Sequence, residues 1–340
     1  MGSILVVNAG STSLKLAAVD ENEQATPVAA LERPPRDVTA VGHRVVHGGS
    51  RFRDPVVVGV AVEDELEALI ELAPLHNAPA VAAIDAARQA LPNVRHVAVF
   101  DTAFHATIPD VAAAYALPRE LRDRGIRRFG FHGLSVQWAA SRVRVPRLVV
   151  CHLGGGCSVT AVRDGRSVDT TMGFTPVEGV PMATRSGSVD PGAILHLIRS
   201  GGVPADELDR MLEHDSGLLG LSGISGSVQE LEASAATEAG FALDVFVYRV
   251  AAAVASMASA LGGLDALVFT AGIGEHSPRI RAAVCKRLGF LGVELDHAAN
   301  SATVPAELAP EGSRVRVAVV RSREDIVIAR AVRQALAPRL

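Results

Sequence analysis

Two apolar runs, each broken by a turn of small residues and then resumed, constrain this 340-residue chain more than any other feature. The first reads ILVVNAGSTSLKLAAVD: Ile4 to Val7, then Asn8-Ala9-Gly10-Ser11-Thr12-Ser13, then strand character again around Lys15. The second reads RLVVCHLGGGCSVTAV, where Val149-Val150 lead through His152-Leu153-Gly154-Gly155-Gly156-Cys157-Ser158 into Val159 to Val162. Each is a strand, a tight turn and a strand. Their recurrence one domain length apart predicts a duplicated α/β fold whose cleft faces both turns. A third apolar strand ends in glycines at ALVFTAGIGE, Ala266 to Glu275.

Gly/Ser turns of this kind present successive backbone N–H groups as anion-binding nests, so a polyphosphate chain is the expected guest. Of the 33 basic side chains only Lys15 and Lys286 are lysine, and Lys15 follows the first turn. A compact ammonium suits phosphate as a point charge where a guanidinium is too large. A surface lysine in a hairpin fits the same pattern. No GxxxxGK[ST] and no suitably placed GxGxxG exist, which excludes a P-loop NTPase and a dinucleotide fold.

A net charge of −4 and a pI near 6.3 give no electrostatic footprint for nucleic acid or an anionic membrane, so small soluble partners are expected. Cys151, Cys157 and Cys285 form neither a CxxC pair nor an even framework. The start lacks a basic n-region and cleavage site, and the most apolar helical stretch, Val250 to Leu261, is too short to span a bilayer. A reducing cytoplasm is the expected compartment.

Helical segments are expected at Glu63 to Leu72, Ala78 to Leu91, Asp206 to His214, about Glu238 to Leu261, Pro278 to Leu288 and Glu324 to Leu336. The run from Ser216 to Gly226 reads as a loop near the cleft. The strand His96 to Phe100 ends at Asp101, and carboxyl ends of strands are where α/β sheets hold ligands; a turn or capping aspartate reads the same way. Arg44 in GHRVVHGG and Arg185 in ATRSGSVDPG sit among small or apolar residues that would hold a guanidinium against transferring phosphoryl oxygens, although surface arginines are the ordinary case. His132 beside Phe131 and His76 beside Leu75 are either pocket donors or core histidines. Asn8 and Glu324 are oxygen donors suited to Mg²⁺ through water, and Glu324 also suits the first turn of a helix.

Together VVNAGSTSLKL (Val6 to Leu16), VVCHLGGGCSVTAV (Val149 to Val162), HRVVHGG, APLHNAP, VFDTAFH, FGFHG, DTTMGFTPVEGVPMATRSGSVDPG, FTAGIGE and SREDIVIAR resemble, in order, the acetokinase family. That family lies within the superfamily of acetate and sugar kinases, heat-shock chaperone ATPases and actin. The resemblance implies duplicated ribonuclease H-like domains, 1–105 with 326–340 and 106–325, with the active site in the interdomain cleft. It implies a cytoplasmic homodimeric enzyme that reversibly transfers phosphoryl in line from ATP to acetate, giving acetyl phosphate and ADP with Mg²⁺ or Mn²⁺. Carried over, Asn8 and Glu324 place the metal, and Arg44, Asp101, His132 and Arg185 are catalytic. Ser11, Ser13, Lys15, His152, Gly154, Gly155, Gly156, Ser227, Val228, Gln229, Gly272, Ile273 and Gly274 hold the nucleotide. Arg44, Val46, Leu75, Phe131 and Pro176 hold the acyl substrate. Propionate or another short acid as acceptor, pyrophosphate as donor, and a nucleotide-driven conformational module of the chaperone or actin kind are the alternatives.

Several positions depart from the family pattern. Gly155 stands where asparagine is usual, Ser227 and Gln229 where an acid and an arginine are expected, and His276 where asparagine follows GIGE. Leu134 and Val136 replace threonine and histidine behind His132, and the chain is shorter than usual between Asp20 and Arg44.

Overall fold

Apolar runs without polar alternation suit strands buried on both faces, and both opening runs become central strands. The computed structural model describes residues 2–9, 14–31, 33–72, 74–301 and 304–338, leaving aside the side chains of 71, 72 and 74–76. Ser11 and Ser13 of the first turn, and the side chains of Leu75 and His76, therefore lie outside the described residues. The chain packs as two units, Met1–Ala106 with Phe131–Trp138 and Arg323–Leu340, and Thr107–Gly130 with Ala139–Ser322.

The first unit holds β1 (Ser3–Ala9), β2 (Leu14–Val19), β3 (Ala25–Pro27), β4 (Val38–Val45), β5 (Val56–Val57) and β6 (Arg95–Phe100) in the order β3-β2-β1-β4-β6-β5. The second holds β7 (Arg147–Leu153), β8 (Cys157–Arg163), β9 (Arg166–Thr170), β10 (Ala266–Thr270), β11 (Ala306–Glu307) and β12 (Arg316–Val319), read from its other edge as β9-β8-β7-β10-β12-β11. Pairing directions match as well. In each sheet the first two pairings are antiparallel, the next two parallel and the last antiparallel. The duplication expected from the two turns is thus present in strand order and direction.

Three strand ends in the first unit lie side by side. β1, β4 and β6 are parallel neighbours, so Asn8, Arg44 and Asp101 all fall at the carboxyl edge of one sheet. On the Gly42 face of β4 packs the C-terminal helix, Glu324–Leu336, so closely that a Cβ on Gly42 would lie 2.6 Å from a methyl of Ile328 and 2.7 Å from one of Val332. Glycine at this position sets how near the start of that helix, and with it Glu324, comes to the strand ends.

The opposite face of β4 carries Val41, His43 and Val45 under the helix Pro74–Ala90, whose Ala80, Ile84 and Ala87 complete two apolar clusters. His43 interrupts them. Its Nε2 lies 3.0 Å from His96 Nδ1, and His96 Nε2 lies 3.1 Å from the carbonyl of Leu91. Because a carbonyl only accepts, His96 carries its proton on Nε2 and accepts from His43 on Nδ1; His43 Nδ1 is left buried without a partner among the described residues. Both rings are neutral. Burial, then His96 and Arg88, lower His43 from its ordinary 6.5 to about 3, and burial lowers His96 too. A pKa lower in the folded than in the unfolded chain stabilises fully above pH 6.5 and loses that stabilisation as pH falls toward 3. Between pH 7 and 5 His43 is expected to cost the fold about 2 kcal/mol. Denaturant unfolding at both pH values checks this: His43→Asn should flatten the pH dependence, and an unchanged dependence would exclude His43 as its source.

In the second unit the expected helices form at Ala205–His214, Thr237–Leu261 and Pro278–Arg287. Thr237–Leu261 runs 25 residues, matching the expected Glu238 to Leu261 helix; unlike its Val250 to Leu261 stretch, which reads as too short to span a bilayer, the whole helix is long and apolar enough to cross one by length and composition alone. Phe246, Val250, Val254 and Leu261 are nevertheless buried against the unit's own core. The expected loop from Ser216 to Gly226 contains a short helix, Gly217–Ser222, a correction to the sequence reading. Its Leu218 and Leu219 amides donate to the carbonyls of Met182 and Ala183 at 2.8 and 3.0 Å, and Leu218 is wholly buried. Tertiary partners thus outweigh a glycine-rich local preference.

Candidate active site

In the first unit the strand-end residues converge on one guanidinium. Arg44 Nε lies 3.1 Å from each Asp101 carboxylate oxygen, and Nη2 makes a shorter ion pair with Oδ2. Nη1 donates to Asn8 Oδ1 at 3.3 Å, Asn8 Nδ2 donates to Glu324 Oε2 at 3.3 Å, and Arg44 Nε stands 3.9 Å from that same oxygen. Burial alone would depress the Arg44 pKa, but Asp101 and Glu324 outweigh it and hold the guanidinium firmly charged. Asp101 is 1 % exposed and takes one edge of the fork, which fixes the plane in which the other edge can meet an anion.

His132 stands beside this group with φ +60°, a left-handed conformation uncommon for a non-glycine residue and costing of order 1 kcal/mol or more. The next residue explains how it is held: the Gly133 amide donates to the Asp101 carbonyl at 2.9 Å, and a Cβ there would sit 2.1 Å from that oxygen. Lys15 lies on β2 directly across from Asn8, with an exposed side chain. Val46 and Phe131 are buried, and Phe131 meets the ring of His47 edge-on at 5.4 Å. Pro176 is buried in the second unit.

Asn77, in the APLHNAP motif but not singled out from sequence, clamps the Val46-His47 segment. Its Oδ1 accepts from the His47 amide at 3.0 Å, and its Nδ2 donates to the His47 carbonyl at 3.1 Å and to the Leu69 carbonyl at 3.0 Å. An amide that satisfies three main-chain groups from inside the core leaves no local signal in the sequence, because its partners lie on other segments.

The second unit holds a cleft of about 750 Å³. Gly154 and Gly155 of the second turn form one part of its lining; Ser227, Val228, Gln229 and Glu232 of the helix Val228–Ala233 and its cap form another; Gly272, Ile273, His276 and Ser277 form the third. Seven of the expected nucleotide residues thus come together from three distant segments. His152 is buried within β7, while Gly156 and Gly274 are not in the lining. Ser227 accepts from the Glu230 amide at 3.4 Å as a helix cap, and His276 Nδ1 donates to the Gly272 carbonyl at 2.9 Å, so two of the unusual residues hold local structure. A Cβ on Gly155 would meet nothing, so the space an asparagine would occupy is open.

Arg185 lies in the segment after Ala183 with Nε donating to Glu213 Oε2 at 2.9 Å, both side chains largely buried. Glu213 is the second residue, after Asn77, that sequence reading did not single out. The main chain fastens this arginine as well: Thr184 Oγ1 donates to the Glu213 carbonyl at 2.8 Å, and the Ser186 amide to the Leu212 carbonyl at 3.0 Å.

The family model of the acetokinase family matches residues 29–330. The chain belongs to the acetokinase family. It is therefore a kinase, a phosphotransferase, built on the duplicated ribonuclease H-like fold that the paired sheets display. An acetate kinase of Nostoc punctiforme is 47% identical over 305 residues, covering 86% of this chain and 75% of that one. Among solved structures, a propionate kinase of Francisella tularensis is 34% identical with a TM-score of 0.90, over 97% of this chain and 99% of that one. An acetate kinase of Porphyromonas gingivalis is 31% identical with a TM-score of 0.88, over 99% and 100%.

Members of the family use ATP with a divalent metal, and the donor set of this kinase can be tested against one. Among the described residues no group of three or more His, Cys, Asp or Glu side chains could enclose an ion. The Glu324 carboxylate stands beside Asn8, whose Nδ2 donates to it while its Oδ1 accepts from Arg44, so the carboxylate is the oxygen donor this pair offers, which fits a hard cation that keeps most of its waters and takes its other ligands from phosphates.

Proposed function

We propose that this kinase transfers the terminal phosphoryl group of ATP to acetate, reversibly, giving acetyl phosphate and ADP. The observation that carries the reading is Arg44, charged and held in one plane by Asp101 and Asn8 at the carboxyl ends of three parallel strands. Acetate is ionised at neutral pH, so it needs no general base. A carboxylate oxygen attacks the γ-phosphorus as the bond to the β–γ bridging oxygen breaks, and ADP departs with that electron pair. Such a transfer is catalysed by positioning and by positive charge on the equatorial oxygens. Arg44 binds the carboxylate, Arg185 and His132 neutralise the migrating phosphoryl, and Asp101 orients Arg44. Lys15 and the small-residue turns hold phosphates, and the 750 Å³ cleft takes the nucleoside. Asn8 and Glu324 hold Mg²⁺ or Mn²⁺ through water, which supplies further charge neutralisation when bound.

We assign Val46, Leu75, Phe131 and Pro176 to the acyl substrate, and Val46 disfavours propionate by bulk. One methylene yields only about 1–3 kcal/mol of discrimination, so propionate, the substrate in the name of the Francisella tularensis relative, stays a slower second acceptor. The protein works in the cytoplasm as a homodimer. Supporting self-association, the helix Pro191–Arg199 buries none of its residues and exposes Leu195, Leu197 and Ile198, while Phe241 and Tyr248 are exposed on the long helix.

Purified protein incubated with acetate, Mg²⁺ and ATP, with acyl phosphate trapped by hydroxylamine, should yield acetohydroxamate, and propionate should yield less. Product only with pyrophosphate would overturn the donor assignment, and none with either donor would overturn the kinase reading of the site.

A further inference from the structure

Among the described residues, the largest side chain that the fold buries completely is an arginine. Arg281, on the helix Pro278–Arg287, is 1 % exposed, and among the described residues no carboxylate pairs with it. Every bond described for its guanidinium goes to an uncharged oxygen. Nη1 donates to the carbonyls of Gly274 and Glu275 at 2.9 and 3.0 Å; Nε donates to Asn300 Oδ1 at 2.8 Å, and Nη2 to the Asn300 carbonyl at 2.5 Å. Asn300 is anchored in turn, its Nδ2 donating to the Pro278 carbonyl at 2.8 Å.

A buried charge without a counter-ion is costly, and burial indeed pulls this guanidinium below its ordinary pKa. What the fold gains is visible in the acceptors. Gly274 and Glu275 end the short helix Ala271–His276, whose last carbonyls have no partner within the helix. The other end of that helix is tied too: Glu275 Oε1 accepts from the Ala271 amide at 3.1 Å and the Ser322 amide at 2.8 Å, holding Ala271 at φ +64°. The following Ser277 donates its hydroxyl to Glu232 Oε1 at 2.6 Å, joining this segment to the facing side of the cleft. The helix so fixed supplies Gly272, Ile273 and His276 to the cleft lining.

We propose that Arg281 is a positioning residue for the phosphoryl donor, fixing from behind the segment on which the nucleoside rests. The proposal depends on the cleft being the nucleotide site. Arg281 touches no substrate, so its loss acts on the donor side alone: nucleotide binding weakens, while acetate binding is untouched because the acyl groups lie on other segments.

The test measures MgADP binding by titration calorimetry and steady-state kinetics for both substrates, in wild type, Arg281→Ala and the milder Arg281→Lys, with thermal unfolding as the check on folding. In Arg281→Ala the Kd for MgADP and the KM for ATP are expected to rise about tenfold, with the KM for acetate unchanged. Arg281→Lys keeps the charge but not the fork that spans two elements, so it should fall between; if the alanine variant does not fold, the lysine variant carries the test. Donor affinity at the wild-type value in a folded variant, or ATP and acetate KM rising together, would overturn the positioning role. A wild-type protein that binds no MgADP would overturn the cleft assignment, and the proposal with it.

Discussion

Arg44→Ala is expected to lower kcat about 10³-fold, the loss seen when a preorganised donor is removed from a developing oxyanion. The same substitution should also destabilise the first unit by about 3–5 kcal/mol, because it breaks the ion pair of the Asp101 carboxylate, 1 % exposed, with Arg44. The two effects separate in the double variant Arg44→Ala/Asp101→Asn. Removing the Asp101 charge should restore much of the unfolding free energy, while turnover stays at the level of the single variant. Denaturant titrations and hydroxamate assays on all three proteins make the comparison. Recovery of turnover alongside stability would mean that Arg44 matters for folding and not for charge, which would remove the central element of the proposed chemistry.

Asp101 and Glu324 are legible in the sequence because each marks a boundary: an acid where an apolar strand stops, and an acid where a helix begins. The duplicated fold is legible for a related reason, since the two strand–turn–strand runs are local patterns whose spacing alone implies two domains. The side chains that hold the functional residues in place leave no such trace. Asn77 acts on His47, Glu213 on Arg185 and Arg281 on Gly274, Glu275 and Asn300, in each case through a fold that joins separate segments. By composition Glu213 is one acid on a helix and Arg281 one of many arginines. The helix Gly217–Ser222 is hidden likewise, its capping carbonyls belonging to Met182 and Ala183. The unusual residues at the cleft are visible in the sequence, but only the structure gives Ser227 and His276 local bonds of their own.

Arg185→Ala is the second large loss expected, a fall in kcat of about 10²- to 10³-fold with the fold retained. Stability should suffer less than at Arg44. The carboxylate left behind, Glu213, is 12 % exposed against 1 % for Asp101, so water can reach it, and the main-chain bonds of Thr184 and Ser186 to the same helix end remain. Glu213 itself reaches the reaction only through Arg185, because its Oε2 accepts the hydrogen bond from Nε–H and thereby fixes which edge of the guanidinium points away. Glu213→Ala should therefore cost less, about tenfold in kcat, since a mis-set guanidinium still carries its charge. The pair tests its own logic through a double-mutant cycle: once Arg185 is gone there is nothing left for Glu213 to orient, so Arg185→Ala/Glu213→Ala should be no slower than Arg185→Ala alone. A further drop in the double variant would give Glu213 a role independent of the arginine, and an unchanged kcat in Arg185→Ala would leave the phosphoryl group without its second cation.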